Sequence, residues 1–441
     1  MVMPGMVMTI LREHPERRQI VEEMHLRRWP AICAPCLIFQ ILLIVDDDDR
    51  AQEKALLATP PAGAEFFAQD NPKHREGRLG GGIGFVWEQH SEATAVTLFV
   101  PNPRPEAMVR PEDITGLPAA MAWAQALPGQ VIRATQILVA ADEEAACLLL
   151  PAMAFSTTDL VSCHIGAGQG ARIWSDFRIA KGGFGRLLVA ANGMAGGDLA
   201  RLVQRMQELG NYRNLAVLGL PVAQAYWDQL RRIEGKLNSL AQSVASAQSD
   251  DEVLLEHVTT FSLELMSIST ATNYRLGATA AYAQLVEERL SEIAPRPIAG
   301  FQSLKDFTQR RLMPAVRTCA SHVRREQELS VRADRFSSLL RTRVETKIER
   351  QNAQLLASMQ QSASLQLRLQ QLAEGFSVVA VSYYLIALLS YVLKGFEKSF
   401  PEFDEPRLVA MLVPAAVLGM WLVIHRLKRR VFSPPGVAKM P

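Results

Sequence analysis

Glu88, His90 and Glu92 stand at alternate positions of the run WEQHSE at residues 87–92, and alternate side chains of a β-strand share one face. Two carboxylates flanking an imidazole can bind a divalent cation, or can hold a proton near neutral pH because the acids favour the charged ring. A solvated sheet face with a local ion pair accounts for the same residues, and the spacing does not say which metal would bind. Further along, Arg201, Gln204, Arg205 and Glu208 share one side of a helix, with Tyr212 and Arg213 just beyond. Guanidiniums at i and i+4 can clamp a phosphate or carboxylate through their planar donor forks. Arg201, Gln204, Arg205 and Arg213 are therefore a candidate anion set, against the alternative of a solvated, salt-bridged helix face.

Other spacings carry less. The runs Gly80-Gly81-Gly82-Ile83-Gly84 and Gly166-Ala167-Gly168-Gln169-Gly170 each precede a strand. A dinucleotide loop must instead follow a strand and open a helix, so that its amides face the pyrophosphate. Both runs read as turns. Asp46 to Asp49 form an acidic turn without the spacing that calcium coordination needs. Cys33-Ala34-Pro35-Cys36 has no second Cys/His pair at zinc spacing and reads as structural. No Ser/His/Asp order, nucleotide loop or metalloprotease motif emerges, which points away from an enzyme and implies no cofactor. The formal charge of +2 over 441 residues advertises no nucleic-acid surface. Five cysteines, an odd number, suit free thiols in a reducing compartment.

The elements that must position these residues read as an α+β chain. Residues 1–195 carry short apolar runs bounded by Gly, Pro and Asp: Leu37 to Val45, Phe85 to His90, Thr94 to Val100, Val131 to Val139, Ala171 to Ile179 and Phe184 to Ala191. These predict the strands of a mixed, mostly antiparallel α/β domain, with a helix over Ala119 to Leu127. From Gly196 the apolar period becomes helical: Asp198 is placed to cap one helix, a second follows Pro221, and Asp251 to Ile293 forms a third. Phe301 opens a further helix that runs, with an interruption expected at Pro314, into the first of two apolar runs. Residues 196–375 thus read as a helical stalk. Ile348, Leu355, Ser362, Leu369 and Phe376 recur every seven residues, with Gln351, Ser358, Leu365 and Leu372 between them. This is the seam of a coiled coil, either packed on the helix Asp251 to Ile293 of the same chain or joining copies into a homo-oligomer.

Residues 376–426 hold two runs without Asp, Glu, Lys or Arg, Phe376 to Leu393 and Leu408 to Ile424. Each is roughly 26 Å long as a helix, near the thickness of a bilayer core, so the pair predicts a transmembrane hairpin. Arg426, Lys428, Arg429 and Arg430 follow the second run, whereas the loop Lys394 to Arg407 balances three positive residues against four acids. The basic tail, residues 427–441, should face the cytoplasm, and two spans bring the bulk of the chain to the same side. The N-terminus has no signal-peptide pattern. A bacterial inner membrane with the lipid bilayer as partner is the expected location.

The helices contain Arg310-Arg311-Leu312, Pro314-Ala315, Arg317-Thr318-Cys319, Leu339 to Val344, Gln351-Asn352, Leu355 to Met359, Leu365 to Gln370 and Glu374-Gly375. Upstream stand Trp87 to Glu92, Asp176-Phe177-Arg178, Gly183-Phe184 with Arg186, Gln204-Arg205 with Glu208, Tyr212-Arg213 and Leu220-Pro221. Together these resemble an uncharacterised bacterial family of predicted membrane-anchored proteins, a domain of unknown function. The resemblance covers nearly the whole chain and implies membrane anchoring. At the N-terminus Glu23, His25, Arg27, Pro30 and Pro35 fit the family more loosely, and Gln40 stands where the family usually has histidine.

The expectation is a non-enzymatic, membrane-anchored scaffold or sensor. In layout alone the chain also resembles CorA-type magnesium channels, which would make it an oligomeric ion channel or transporter. The Gly-Met-Asn signature of that family is absent at the end of the first run, which reads Tyr391-Val392-Leu393-Lys394-Gly395-Phe396.

Overall fold

The computed structural model describes residues 12–24, 28–67, 71–168, 170–245, 250–397 and 405–431. His25, Arg27, Gln169, residues 398–404 of the loop between the apolar runs and the tail beyond Val431 lie outside them, as do the side chains of Glu23 and residues 427–430. The chain divides into two compact units, residues 1–337 and 338–441.

Among the described residues the first unit contains a ten-stranded sheet ordered β10-β7-β8-β9-β6-β1-β5-β4-β3-β2. The strands are β1 (Cys36–Ile44), β2 (Glu65–Phe66), β3 (His74–Leu79), β4 (Ile83–Gln89), β5 (Ala93–Pro101), β6 (Gln130–Ala140), β7 (Val161–Ile165), β8 (Ala171–Ser175), β9 (Gly185–Ala190) and β10 (Arg296–Pro297). Every neighbouring pair is antiparallel except β6 with β9. The central strand β1, CLIFQILLI, lies between β5 and β6 and is covered on both faces, so it shows no apolar alternation.

Helices cover both faces. On one side α2 (Arg50–Ala58), α3 (Pro105–Val109), α4 (Leu117–Gln125) and α5 (Glu143–Met153) follow a short N-terminal α1 (Arg17–Met24) in the chain. Leu57, Leu117, Ala120, Ala124, Ala146 and Met153 pack there against Phe39, Phe85, Trp87, Leu98, Leu138 and Leu188. On the other side lie α6 (Gly196–Val217), α8 (Asp251–Ile293) and the start of α9 (Leu304–Glu397), with α7 (Gly219–Ala245) against α8. Their Leu199, Leu202, Val203, Met206, Val286, Ile293, Leu304 and Leu312 meet Ile38, Val86, Phe99, Ile137, Val139, Leu187 and Val189. The change of composition at Gly196 therefore starts a helix, and that helix shares a core with the sheet.

Local departures from expectation have local causes. The strand expected over Ala171 to Ile179 stops at Ser175, because the Asp176 carboxylate accepts the Arg178 N–H at 3.1 Å and Phe177 adopts φ +52°. Asp198 is not the cap of α6: the helix opens at Gly196, and Asp198 pairs with Arg201 inside its first turn. Helix α9 passes through Pro314 unbroken. Pro314 and Arg310 are both exposed, so water can satisfy the carbonyl that the proline leaves without its donor.

The second unit holds the rest of α9 and α10 (Glu405–Val431). Residues 345–373 are exposed throughout, including the seam positions Ile348, Leu355, Leu365, Leu369 and Leu372. Both apolar runs are helical, long and apolar enough to cross a membrane. Their Phe376, Val379, Tyr383, Leu388, Tyr391, Met411, Leu418, Trp421 and Val423 face outward, where the core helix of a soluble protein would bury such residues.

Candidate functional site

A cleft of about 920 Å3 opens on the sheet face that carries the short helices. Three adjacent strands make its floor. Phe39 of β1 is in register with Gln136 of β6, and Gln136 with Arg186 of β9, so an aromatic, an amide and a guanidinium lie side by side. Phe184 stands before β9 and meets Phe39 edge-on, with ring centroids 5.6 Å apart. Leu117, Pro118 and Met121 of α4 form one wall; Phe155 and Ser156, just after α5, and the loop 176–182 complete it.

The loop is held by a buried carboxylate. Asp176 accepts the Arg178 N–H through Oδ1 and the Ser156 N–H through Oδ2, both at 3.1 Å. The Ser175 hydroxyl donates to the Arg186 carbonyl at 2.7 Å and accepts the Phe177 N–H at 3.1 Å. Asp176 is thus a clasp between the segment after β8 and the segment after α5, and each of its oxygens accepts one backbone N–H. Arg178 pairs with Asp159. The Arg186 guanidinium lies 6.0 Å from the Phe155 ring. Neither Arg186 nor Lys181 has a carboxylate partner among the described residues, and the Gln136 amide has no hydrogen-bond partner there.

Phe177, between these residues, turns to the opposite side of the sheet. Its ring stacks on Phe307 of α9 at 4.5 Å, and the Arg213 guanidinium of α6 lies 4.4 Å from the Phe177 ring. Burial pushes the Arg213 pKa down to about 10. Beside it runs a polar row inside the helix–sheet interface. Arg133 of β6 donates to Gln40 at 3.2 Å and to Asn211 at 2.8 Å, and Gln40 donates to Thr97 at 3.2 Å. Burial, with a smaller contribution from Arg213, brings the Arg133 pKa down to about 9. Helix α6 makes room for this arginine at Gly210, where an added Cβ would come within 2.6 Å of the guanidinium. Gln40 is therefore a structural link in this row.

The three residues that spacing grouped together, Glu88, His90 and Glu92, each make a contact of their own. Strand β4 ends at Gln89, and His90 closes a tight turn by donating its N–H to the Ala93 carbonyl at 2.8 Å. Glu88 and Glu92 are both buried. Glu88 faces the imidazole of His74 across the β3–β4 register at 3.9 Å, while Glu92 receives a bidentate pair from Arg275 of α8. His90 lines a second hollow, of about 430 Å3, with Lys73, Glu208, Tyr212 and Tyr282. There Tyr212 is pushed up to about 12 by burial and then by Glu208, and Glu208 is itself raised by burial against the lowering effect of Arg289. No group of three His, Cys, Asp or Glu side chains among the described residues is placed to hold a metal ion.

Each member of the candidate anion set has a partner within the protein. Arg201 pairs with Asp198 and Arg205 with Glu292, Gln204 accepts the Trp29 N–H at 3.3 Å, and Arg213 is taken up by the two phenylalanines. Arg201 and Arg205 do border one hollow of about 590 Å3 near the start of α6, with their carboxylate partners beside them. What spacing missed is the cleft: Phe39, Gln136, Phe155 and Lys181 come from four separate segments. The signal for it was the cluster Asp176-Phe177-Arg178, Gly183-Phe184 and Arg186, polar and aromatic residues on either side of a tight loop.

Neither the curated proteins nor the solved structures include a match to this chain. A family model described as "Protein of unknown function (DUF3422)" matches residues 12–431, nearly the whole chain, and the protein belongs to that family.

Proposed function

We propose that this protein is a membrane-anchored, non-enzymatic sensor. Its sheet domain takes up a small molecule in the cleft over β1, β6 and β9, and α10 with the end of α9 fixes the chain in the inner membrane, both termini on the cytoplasmic side. The cleft is the observation that carries this function: its volume lies within the range of small-molecule sites, and its lining combines apolar and aromatic side chains with a few unpaired polar groups. Membrane anchoring is supported by two outward-facing apolar helices and by the basic residues Arg426 to Arg430 that follow the second.

The test is thermal unfolding of the full chain in lipid nanodiscs against a panel of cytoplasmic metabolites. A ligand that binds the folded form raises the midpoint by mass action, by about 2.7 kcal/mol of stability at a hundredfold excess over Kd. A panel without any stabilising compound, or turnover of the compound that stabilises, would overturn the proposal.

A further inference from the structure

The cleft has a specific chemical bias. The Asp176 carboxylate already accepts two backbone N–H groups, and Asp159 neutralises Arg178. This leaves Arg186 on the floor and Lys181 on the loop, with Glu112 the one carboxylate of the lining that has neither role. Glu112 is exposed, whereas Arg186 is half-buried among Phe155, Phe184 and Gln136. A half-buried guanidinium without a carboxylate partner keeps its planar fork of donors open to an oxyanion. The Gln136 amide, next in register, adds a donor. Around this polar corner the surface is apolar: Phe39 and Phe184 in edge contact, Met121 and Leu117 from α4, and Ile179 standing largely exposed on the loop.

We propose that the cleft binds a small anionic amphiphile, its carboxylate or phosphate head on Arg186 and Lys181 and its aromatic or alkyl body on Phe39, Phe184 and Met121. The proposal rests on the sensor role above and assigns its ligand class. Ile179 and Lys181 sit on the same loop, so one segment offers an apolar cover and a charge to the two ends of such a ligand.

Full-length protein in phosphatidylcholine nanodiscs, blanked against empty nanodiscs, is titrated calorimetrically with 2-naphthoate, with the neutral 2-naphthylmethanol and with inorganic phosphate. The naphthoate should bind at least tenfold more tightly than the alcohol, and inorganic phosphate, lacking the body, should bind more weakly than naphthoate. Arg186→Gln should weaken naphthoate at least tenfold while Arg186→Lys retains part of the affinity, in line with a charge-assisted hydrogen bond. Lys181→Gln, on an exposed loop position, carries the same test should Arg186→Gln impair folding. Repeating the titration in nanodiscs containing phosphatidic acid separates the sources: competition assigns the head to a lipid, and unchanged affinity assigns it to a soluble acid. Equal affinity for naphthoate and naphthylmethanol overturns the charge assignment. Absence of binding by either probe, while another metabolite raises the unfolding midpoint, overturns this inference and leaves the sensor role standing.

Discussion

At the scale of single residues, burial decides which groups are chemically available. Burial pushes the Cys36 thiol up to about 12 and the Cys163 thiol to about 11, whereas Cys33 and Cys147 are exposed. The thiolate is the reactive species. Iodoacetamide at pH 8 should therefore alkylate Cys33 and Cys147 and leave Cys36 and Cys163 unmodified, which peptide mass spectrometry reads directly. The sign of the linkage follows. Since the folded thiol pKa values lie above the ordinary value, their contribution to stability is complete below about pH 8.5. It is lost as pH climbs towards 11–12. The Glu92–Arg275 pair makes the second case. Glu92 is a buried carboxylate paired with a guanidinium, which ties the β4–β5 turn to α8. Arg275→Met should cost about 3 kcal/mol by leaving that buried carboxylate without its counter-ion. Adding Glu92→Leu should recover most of the loss. A single variant as stable as the parent in thermal denaturation would show that Glu92 finds solvent or another partner.

At the scale of elements, the long helices were legible in the sequence and the site was not. The helix Asp251–Ile293 follows its expected bounds because Asp250 caps it and Pro295 and Pro297 lie just past its end. The central strands were equally plain, as short apolar runs rich in β-branched residues. Strand β3, HREGRL, was missed because it lies near the edge of the sheet and pairs through its backbone, with four charged or titratable side chains that give no apolar alternation. The cleft escaped for a topological reason. Phe39, Gln136 and Arg186 are neighbours only because β6 pairs with β1 on one edge and with β9 on the other, and one chain's pattern does not encode that order. Within the bundle, His322 of α9 is buried 6.2 Å from the Trp227 ring of α7, with no well-formed hydrogen bond at either nitrogen. Burial lowers its pKa, an effect that the nearby Ala223 backbone offsets only in part. A depressed histidine pKa supports stability above the unfolded value near 6.5, and that support is lost as pH falls through the lower folded value. His322→Leu should flatten the decline in unfolding midpoint between pH 7 and 5. A decline as steep as that of the parent would assign the acid sensitivity to another group.

At the scale of the whole molecule, the open question is what covers the seam of the second unit. Leu365, Leu369 and Leu372 repeat at coiled-coil spacing and are more than half exposed in the single chain, at 52%, 67% and 61%. A row of leucines left in water is unfavourable by roughly 25 cal/mol for each Å2 of apolar surface that a partner would otherwise cover. A second copy of the chain offers a seam of the same spacing, and symmetric self-association is the common solution for such surfaces. Leu369→Asp separates intramolecular from intermolecular packing. A charge at a position exposed in the single chain leaves thermal stability within about 0.5 kcal/mol of the parent. The same charge at a seam between copies is desolvated without a partner and lowers the mass of the detergent-solubilised particle towards the monomer. The particle mass of the parent bears on function at the same time. A ring of about five subunits would favour a pore built from the apolar helices, whereas a dimer fits an anchored sensor. The expected result is a dimer that Leu369→Asp converts to monomer, with an unfolding midpoint lowered no further than dilution of the parent to its monomer lowers it. A parent that is already monomeric would leave the leucine row to the bilayer surface or to a different protein.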